Sequence, residues 1–341
     1  MSTARTAGLP APSRPPGEGL PIALLLPGQG AQQPGMATGL YQREPVFTAS
    51  MDAFFELMGR EGTELRQDWL AEHPRVPLDD ASRAQPLLFA VGYALGRSLL
   101  ERGVRPAVML GHSVGELAAA ALAGVFDLAA AARLMSARSA AMAATAPGGM
   151  LAVAARPEDL AHLVAGRSGG GRQTIAVGAV NAPAQTVLSG LEPHLSEVAA
   201  ELAGAGVTAR RVPALQAFHT PAIAGAADAF RRAFDTVPLH APSIPVRSTR
   251  TGRLVTPAQA VDGAFWAEQL AEPVLFWPAL DSLLRQGDFL LMEAGPGQSL
   301  SMLARRHPHI RARRSRVLPL LPARAGDDLG TFLAAVSHVH P

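Results

Sequence analysis

Between a short apolar run and an alanine-rich stretch the chain reads Gly111-His112-Ser113-Val114-Gly115. A serine with glycine two residues away on each side, between a strand and a helix, has the spacing of a nucleophile elbow, in which the glycines permit a strained turn that thrusts the hydroxyl outward. The helix that follows would set exposed backbone N–H groups and the positive end of its dipole beside that hydroxyl, which favours developing negative charge and makes an oxyanion hole. A serine hydroxyl is a poor nucleophile at its own pKa and needs a base, and the chain has ten histidines to supply one. His112 adjoins the serine in a tight turn and is expected to point to the opposite side, supporting the elbow. His73, His162, His194 and His240 stand in polar or loop-like surroundings, where a lone histidine is usually a surface residue. The pairs His307/His309 and His338/His340 have no further acidic or thiolate ligands nearby, and no metal is expected there. His219, in Gln216-Ala217-Phe218-His219-Thr220-Pro221, falls at a strand-to-helix junction from which it could face a cleft.

These residues need a scaffold, and the periodicity of the chain describes one. Ile22 to Leu26 reads as a buried strand that ends in the turn residues Pro27, Gly28, Gln29 and Gly30. Leu87, Val91, Leu95 and Leu99 recur every four residues from Pro86 to Arg102, behind a proline suited to a first helical turn, and predict an amphipathic helix. Ala107 to Leu110 is a short strand, Glu116 to Leu122 a helix, and Asp127 is placed to cap a second helix that runs to about Thr145. From Met150 to Val212 the pattern becomes strand (150–154), helix (157–164), strands (175–180 and 185–189), helix (193–203) and strand (207–212), the order of a ferredoxin-like unit. A further buried strand is expected at Phe289 to Met292. The expected fold class is therefore α/β: an α/β-hydrolase-like parallel-sheet core from residues 21–148 and 214–341, with a ferredoxin-like small subdomain inserted at 149–213 and a cleft between the two. Residues 1 to about 20, rich in proline and glycine, are expected to be a disordered tail.

Composition narrows the function from the other side. A chain of 341 residues can bury a full-sized core. There is no cysteine, which excludes disulfides, thiolate metal sites and a cysteine nucleophile. All basic side chains are arginine, yet the net charge is only +2, so no overall field draws a polyanion and no nucleic-acid partner is expected. No apolar stretch approaches the roughly 18 residues of a membrane helix and no signal-like block opens the chain, so a cytoplasmic protein without a membrane partner is expected.

With these motifs in order, the chain resembles malonyl-CoA:acyl carrier protein transacylases and the acyltransferase domains of polyketide synthases. The resemblance runs from Pro21 to about Pro322 and rests on Pro27-Gly28-Gln29-Gly30-Ala31-Gln32, Gly111-His112-Ser113-Val114-Gly115-Glu116 and Arg138. It also rests on Asn181 with Gln185 to Gly190, Ala217-Phe218-His219, Gln269-Leu270 before Pro273-Val274, and Glu293-Ala294-Gly295-Pro296-Gly297. It implies that Ser113 attacks the thioester of an acyl-CoA while His219 takes its proton, and that a carrier protein's phosphopantetheine thiol then collects the acyl group in ping-pong fashion. It also implies oxyanion donors at the backbone of Gln29 and Val114, and a His219 oriented by the Gln269 backbone carbonyl in place of a carboxylate. It implies no bound cofactor, with acyl-CoA and the carrier's phosphopantetheine as substrates. Arg138 matches the arginine that clamps the free carboxylate of malonyl-type groups. Phe218 resembles malonyl-selective domains, whereas methylmalonyl-selective ones carry a smaller residue there. Gln216 departs from the pattern, since many polyketide domains have histidine at that position. The resemblance also implies that Asn181 and His112 belong with the substrate-binding set.

The reading drawn from this is a monomeric malonyl transferase, acting in trans or excised from a larger synthase, that serves an acyl carrier protein in polyketide or fatty acid synthesis. Its rivals are an acyl hydrolase that edits carrier proteins, a transferase for a larger or non-carboxylated acyl group, and a catalytically silent carrier-binding module. The arginine-rich stretch from Arg305 to Arg316 reads either as a solvated basic loop or as a surface for the acidic carrier.

Overall fold

A computed structural model describes residues 19–165, 168–169 and 172–339. The stretch expected as a tail lies outside the described residues through residue 18, as does His340. Five strands form a parallel sheet in the order Arg316–Pro319, Leu290–Glu293, Ile22–Leu26, Val108–Gly111, Val246–Arg247. The central strand has almost no solvent exposure from Ala23 to Leu26, as an unbroken apolar run must when helices cover both faces of a parallel sheet. In register, Leu26 pairs with Gly111 and Leu25 with Glu293, so three strands end side by side at the edge where the serine turn begins.

A second, antiparallel sheet orders its strands Ile175–Ala182, Gln185–Leu191, Gly148–Val153, Ala209–Arg211, which is the ferredoxin-like arrangement. It has an apolar cluster of its own around Leu151, Ile175, Leu188, Leu195 and Val198. The small sheet is tied to the chain that follows it by a ladder through one residue: Val180 N–H donates to the Val274 carbonyl and Val274 N–H to the Gly178 carbonyl, both at 2.9 Å.

Several elements differ from the sequence expectation for local reasons. The helix expected to start at Pro86 spans Ala81–Glu101, because the Asp80 carboxylate accepts the Ser82 N–H and caps it a turn and a half earlier. Pro86 therefore lies inside the helix, where its missing N–H deprives the Ser82 carbonyl of its usual donor. Where a single helix was expected at 157–164, a 3-10 turn (Glu158–Leu160) leads into a short helix (Ala161–Val164). The strand expected over 207–212 is regular only over Ala209–Arg211, with the Thr208 carbonyl and the Val212 N–H continuing the hydrogen bonds to Ala154 and Met150 on either side. Asp127 caps the Leu128–Ala143 helix as anticipated, accepting the Ala130 N–H at 2.7 Å.

Candidate active site

The turn after Val108–Gly111 places Ser113 at φ 53°, ψ −122°, a conformation that a residue with a side chain reaches only when its surroundings enforce it. The flanking glycines explain how. A Cβ on Gly111 would sit 2.2 Å from the Glu116 nitrogen, and one on Gly115 would sit 2.1 Å from the Leu26 carbonyl oxygen. The helix thus packs against the strand ends too closely for any other residue at either position, and the serine between them takes up the strain. Val114, as the first helical residue, has no preceding turn to bond. Among the described residues neither its N–H nor that of Gln29 donates a hydrogen bond.

Ser113 Oγ lies 2.8 Å from His219 Nε2. His219 is itself at positive φ, 63°, and its own N–H donates to the Leu270 carbonyl at 2.7 Å. Two backbone carbonyls, of Gln269 and Glu272, each stand 2.9 Å from Nδ1. Carbonyls only accept, so Nδ1 carries the proton and Nε2 is left to accept from the serine hydroxyl. Burial, helped by the nearby positive charge of Arg138 and by His112, pushes the imidazole down to about 3, so it is neutral at ordinary pH. A neutral imidazole held in this tautomer can take the Ser113 proton as the hydroxyl attacks an electrophilic carbon.

Ser113 and His219 line a cavity of about 370 Å³ with one wall from strands of the small sheet and the other from turns and helices that follow strands of the large sheet. Asn181 and Phe218 line it as well, Phe218 being almost wholly buried. His112 lines it too, which corrects the expectation that it points away from the serine: its Nε2 meets the Asn181 side-chain oxygen at 2.9 Å and so joins the elbow to the small sheet. Gln216 is not among the cavity walls, and its side-chain oxygen is buried without a partner. Gln269 lies behind His219, where its carbonyl is in reach but its side chain turns to Glu116 at 2.8 Å.

Arg138 is 1% exposed. Its Nε donates to the Gln85 side-chain oxygen at 2.6 Å, and Gln85 in turn donates to the Gln29 side-chain oxygen at 2.9 Å. Both terminal guanidinium nitrogens are buried with no partner, and burial lowers the group to about 9. Gln85 lines the cavity, so the arginine stands just behind its wall. Sequence reasoning missed Gln85, which sits in an amphipathic helix with no motif around it. It also missed the Glu272 carbonyl, since a backbone acceptor leaves no trace in residue type.

The His307/His309 pair has local uses: His307 is buried, its Nε2 meets Asp281 at 3.2 Å, and its Nδ1 accepts the His309 N–H. No group of three or more histidines and carboxylates that could hold a metal occurs among the described residues. No helix among them is long and apolar enough to cross a membrane.

An elbow serine on a backbone-oriented histidine, with its second wall from a ferredoxin-like sheet, can be compared with known proteins. The model of the acyl transferase domain matches residues 24–340. This chain belongs to the acyl transferase domain family. A phenolphthiocerol/phthiocerol polyketide synthase protein of Mycobacterium tuberculosis is 36% identical over 320 residues, which are 93% of this chain and 21% of that protein. The spectinabilin polyketide synthase system protein NorB of Streptomyces orinoci is also 36% identical, over 93% of this chain and 15% of that one. The chain thus spans a small part of the curated relatives it matches. Among solved structures, the acyltransferase domain from the second module of the salinomycin polyketide synthase superposes with a TM-score of 0.82 at 37% identity, covering 93% of this chain and 72% of that chain. The malonyl CoA-acyl carrier protein transacylase of Coxiella burnetii superposes with a TM-score of 0.80 at 25% identity, covering 94% of this acyl transferase domain and 98% of that chain.

Proposed function

We propose that this acyltransferase moves a malonyl group from coenzyme A, through an ester on Ser113, to the phosphopantetheine thiol of an acyl carrier protein. The observation that carries the acyl group's identity is Arg138. A fully buried guanidinium with two unpaired nitrogens is costly to keep, and the ligand that best offsets the cost is a planar carboxylate accepting two parallel hydrogen bonds. Malonyl has such a carboxylate and acetyl does not.

The steps follow from the residues present. Ser113 Oγ attacks the thioester carbonyl and passes its proton to His219 Nε2, while the backbone N–H groups of Gln29 and Val114 receive the oxyanion. The Gln269 and Glu272 carbonyls stabilise the imidazolium that forms, taking the place an acid side chain holds in other triads. His219 then gives the proton to the departing coenzyme A thiol, and the carrier thiol reverses the sequence. At the cavity mouth, Arg306 from the basic 305–316 stretch donates to Gln185 at 2.5 Å, and Arg305, Arg311 and Arg313 nearby are exposed. This is the face we assign to the acidic carrier protein. Proteins with related folds support the reading: an acyl transferase domain of SpnD has been solved with a substituted malonyl, at 30% identity and a TM-score of 0.84 over 98% of this chain.

The test is intact-protein mass spectrometry after mixing with malonyl-CoA, methylmalonyl-CoA or acetyl-CoA in separate reactions. The expected result is a malonyl-sized adduct, absent in Ser113→Ala and discharged by a phosphopantetheinylated carrier protein but not by buffer. An adduct that buffer clears as fast as the carrier does would make the protein a hydrolase instead.

A further inference from the structure

One buried polar side chain beside the elbow has no part in the steps above. Glu116 lies in the first turn of the Val114–Leu122 helix, 1% exposed, and among the described residues it pairs with no arginine or histidine. It does not line the cavity. A carboxyl group taken out of water without a countercharge persists only if donors converge on it. Here they come from the 3-10 turn Glu268–Leu270 and from residues 248–249: Gln269 Nε2 at 2.8 Å, the Thr249 hydroxyl at 3.0 Å and the Thr249 N–H at 3.3 Å, with the Ser248 hydroxyl beside them.

What those donors also touch gives the group its meaning. The main-chain carbonyl of Gln269 is one of the two acceptors for His219 Nδ1–H. The Thr249 hydroxyl lies 3.1 Å from the Gly111 carbonyl, at the start of the elbow. Glu116 itself donates its N–H to the Ser113 carbonyl at 2.9 Å. One carboxyl group therefore ties the segment that orients the base to the turn that presents the nucleophile. In a serine–histidine–acid triad the acid touches the imidazole directly; here a carboxyl stands one amide further out and anchors the residue whose carbonyl does the touching.

We infer that Glu116 is a positioning residue for acyl transfer: through the Gln269 side chain it keeps the Gln269 carbonyl on His219 Nδ1, and so keeps Nε2 aimed at Ser113 Oγ. Burial pushes the Glu116 carboxyl above its ordinary range. Whether ionised or protonated, it retains an oxygen to accept from Gln269, so the role needs the acceptor rather than the charge.

The inference rests on the acyl-transfer reading for its kinetic arm and not for its spectroscopic one. Glu116→Ala lowers kcat for Ser113 loading on the order of 10²-fold, the cost of a misplaced base, while KM for malonyl-CoA stays within about twofold. Glu116→Gln keeps an acceptor oxygen and restores loading to within about threefold of the parent. Gln269→Met removes the other end of the same bond, leaves the backbone carbonyl, and reproduces the Glu116→Ala loss. The double variant is no worse than either single one, because one coupling has been cut twice. With 15N-labelled histidine, the parent shows His219 as a single Nδ1–H tautomer, and Glu116→Ala shows both tautomers in the absence of any substrate. Loading by folded Glu116→Ala at the parent rate, a loss confined to KM, or additive losses in the double variant would each overturn the assignment. Should Glu116→Ala not fold, Gln269→Met carries the same kinetic and tautomer tests. A parent that loads no acyl group, yet shows the tautomer and loses it in Glu116→Ala, would remove the acyl-transfer reading and leave Glu116 in its positioning role.

Discussion

Arg138 and Arg247 are buried to nearly the same degree, and burial lowers the pKa of both. What separates them is the end of the guanidinium that the protein leaves bare. Arg247 spends its fork on the fold: Nη1 donates to the Gly252 carbonyl and the Ser282 hydroxyl at 3.0 Å, Nη2 to the Gln286 side chain at 3.1 Å, and only Nε has no partner. In Arg138 the pattern is reversed, with Nε bonded to Gln85 and both fork nitrogens open. The first is a brace between the 246–254 turn and the Phe276–Leu284 helix; the second is held at Nε by Gln85, and its two terminal nitrogens, which we propose receive the malonyl carboxylate, have no hydrogen-bond partner among the described residues. Burial is common to both cations; the hydrogen-bond partners at the fork differ.

The contrast is broken most severely by exchanging the two outcomes. Arg138→Ala should slow malonyl loading on the order of 10³-fold, since two charge-assisted hydrogen bonds are lost, while its melting temperature changes little, because loss of the Gln85 bond and the Phe230 contact is offset by removal of a buried cation with two unbonded nitrogens. Arg247→Ala should do the reverse, losing about 2 kcal/mol in urea unfolding as Gly252, Ser282 and Gln286 lose their donor, with loading per folded molecule unchanged. A drop in loading for Arg247→Ala, or a large loss of stability for Arg138→Ala, would erase the distinction.

A smaller effect sharpens the picture of what surrounds the carboxylate. Phe218 presses on the cavity from beside His219, with ring centroids 6.3 Å apart. Phe218→Ala should raise methylmalonyl relative to malonyl loading by about tenfold, the scale on which a pocket discriminates one methyl group; an unchanged ratio in paired kcat/KM measurements would make Phe218 a packing residue.

The smallest effect is a lack of change. With His219 held at about 3, its neutral form persists through mildly acidic pH, so kcat/KM for loading should stay flat from pH 7 down to about 5 and not fall near 6.5 as for an ordinary histidine. The sign for stability is opposite. Between about 6.5 and 3 the unfolded chain binds a proton at this histidine that the native state refuses, so His219 erodes stability as pH falls through that window and costs nothing above it. Stopped-flow loading and unfolding measured across the same buffers separate the two.

The serine–histidine pair, the small sheet and the three central strands of the large sheet were legible because they depend on residue type: a serine between spaced glycines, short apolar runs, a capping Asp127; the edge strands Val246–Arg247 and Arg316–Pro319 were not, being short and carrying arginine. What escaped has a different physical origin. The relay from Arg138 through Gln85 to Gln29 joins side chains 53 and 56 residues apart on elements with no common motif. The Glu272 carbonyl lies between the Leu270 carbonyl that accepts the His219 N–H and the Val274 ladder to the small sheet, so its reach to His219 Nδ1 is set by contacts across 53 residues of chain. His112 faces the cavity because Asn181 offers it a partner across the two sheets, a contact that no local reading of a tight turn contains. Pro86 reads as a helix start until Asp80 is seen to cap the chain earlier.

One competition reads the role of the open Arg138 fork directly. The parent and Arg138→Ala are mixed briefly with equimolar malonyl-CoA and acetyl-CoA, and the adducts on Ser113 are weighed by intact-protein mass spectrometry. The parent should carry malonyl almost exclusively and Arg138→Ala should carry chiefly acetyl; the same malonyl-to-acetyl ratio in both would contradict the claim that this arginine waits for a carboxylate.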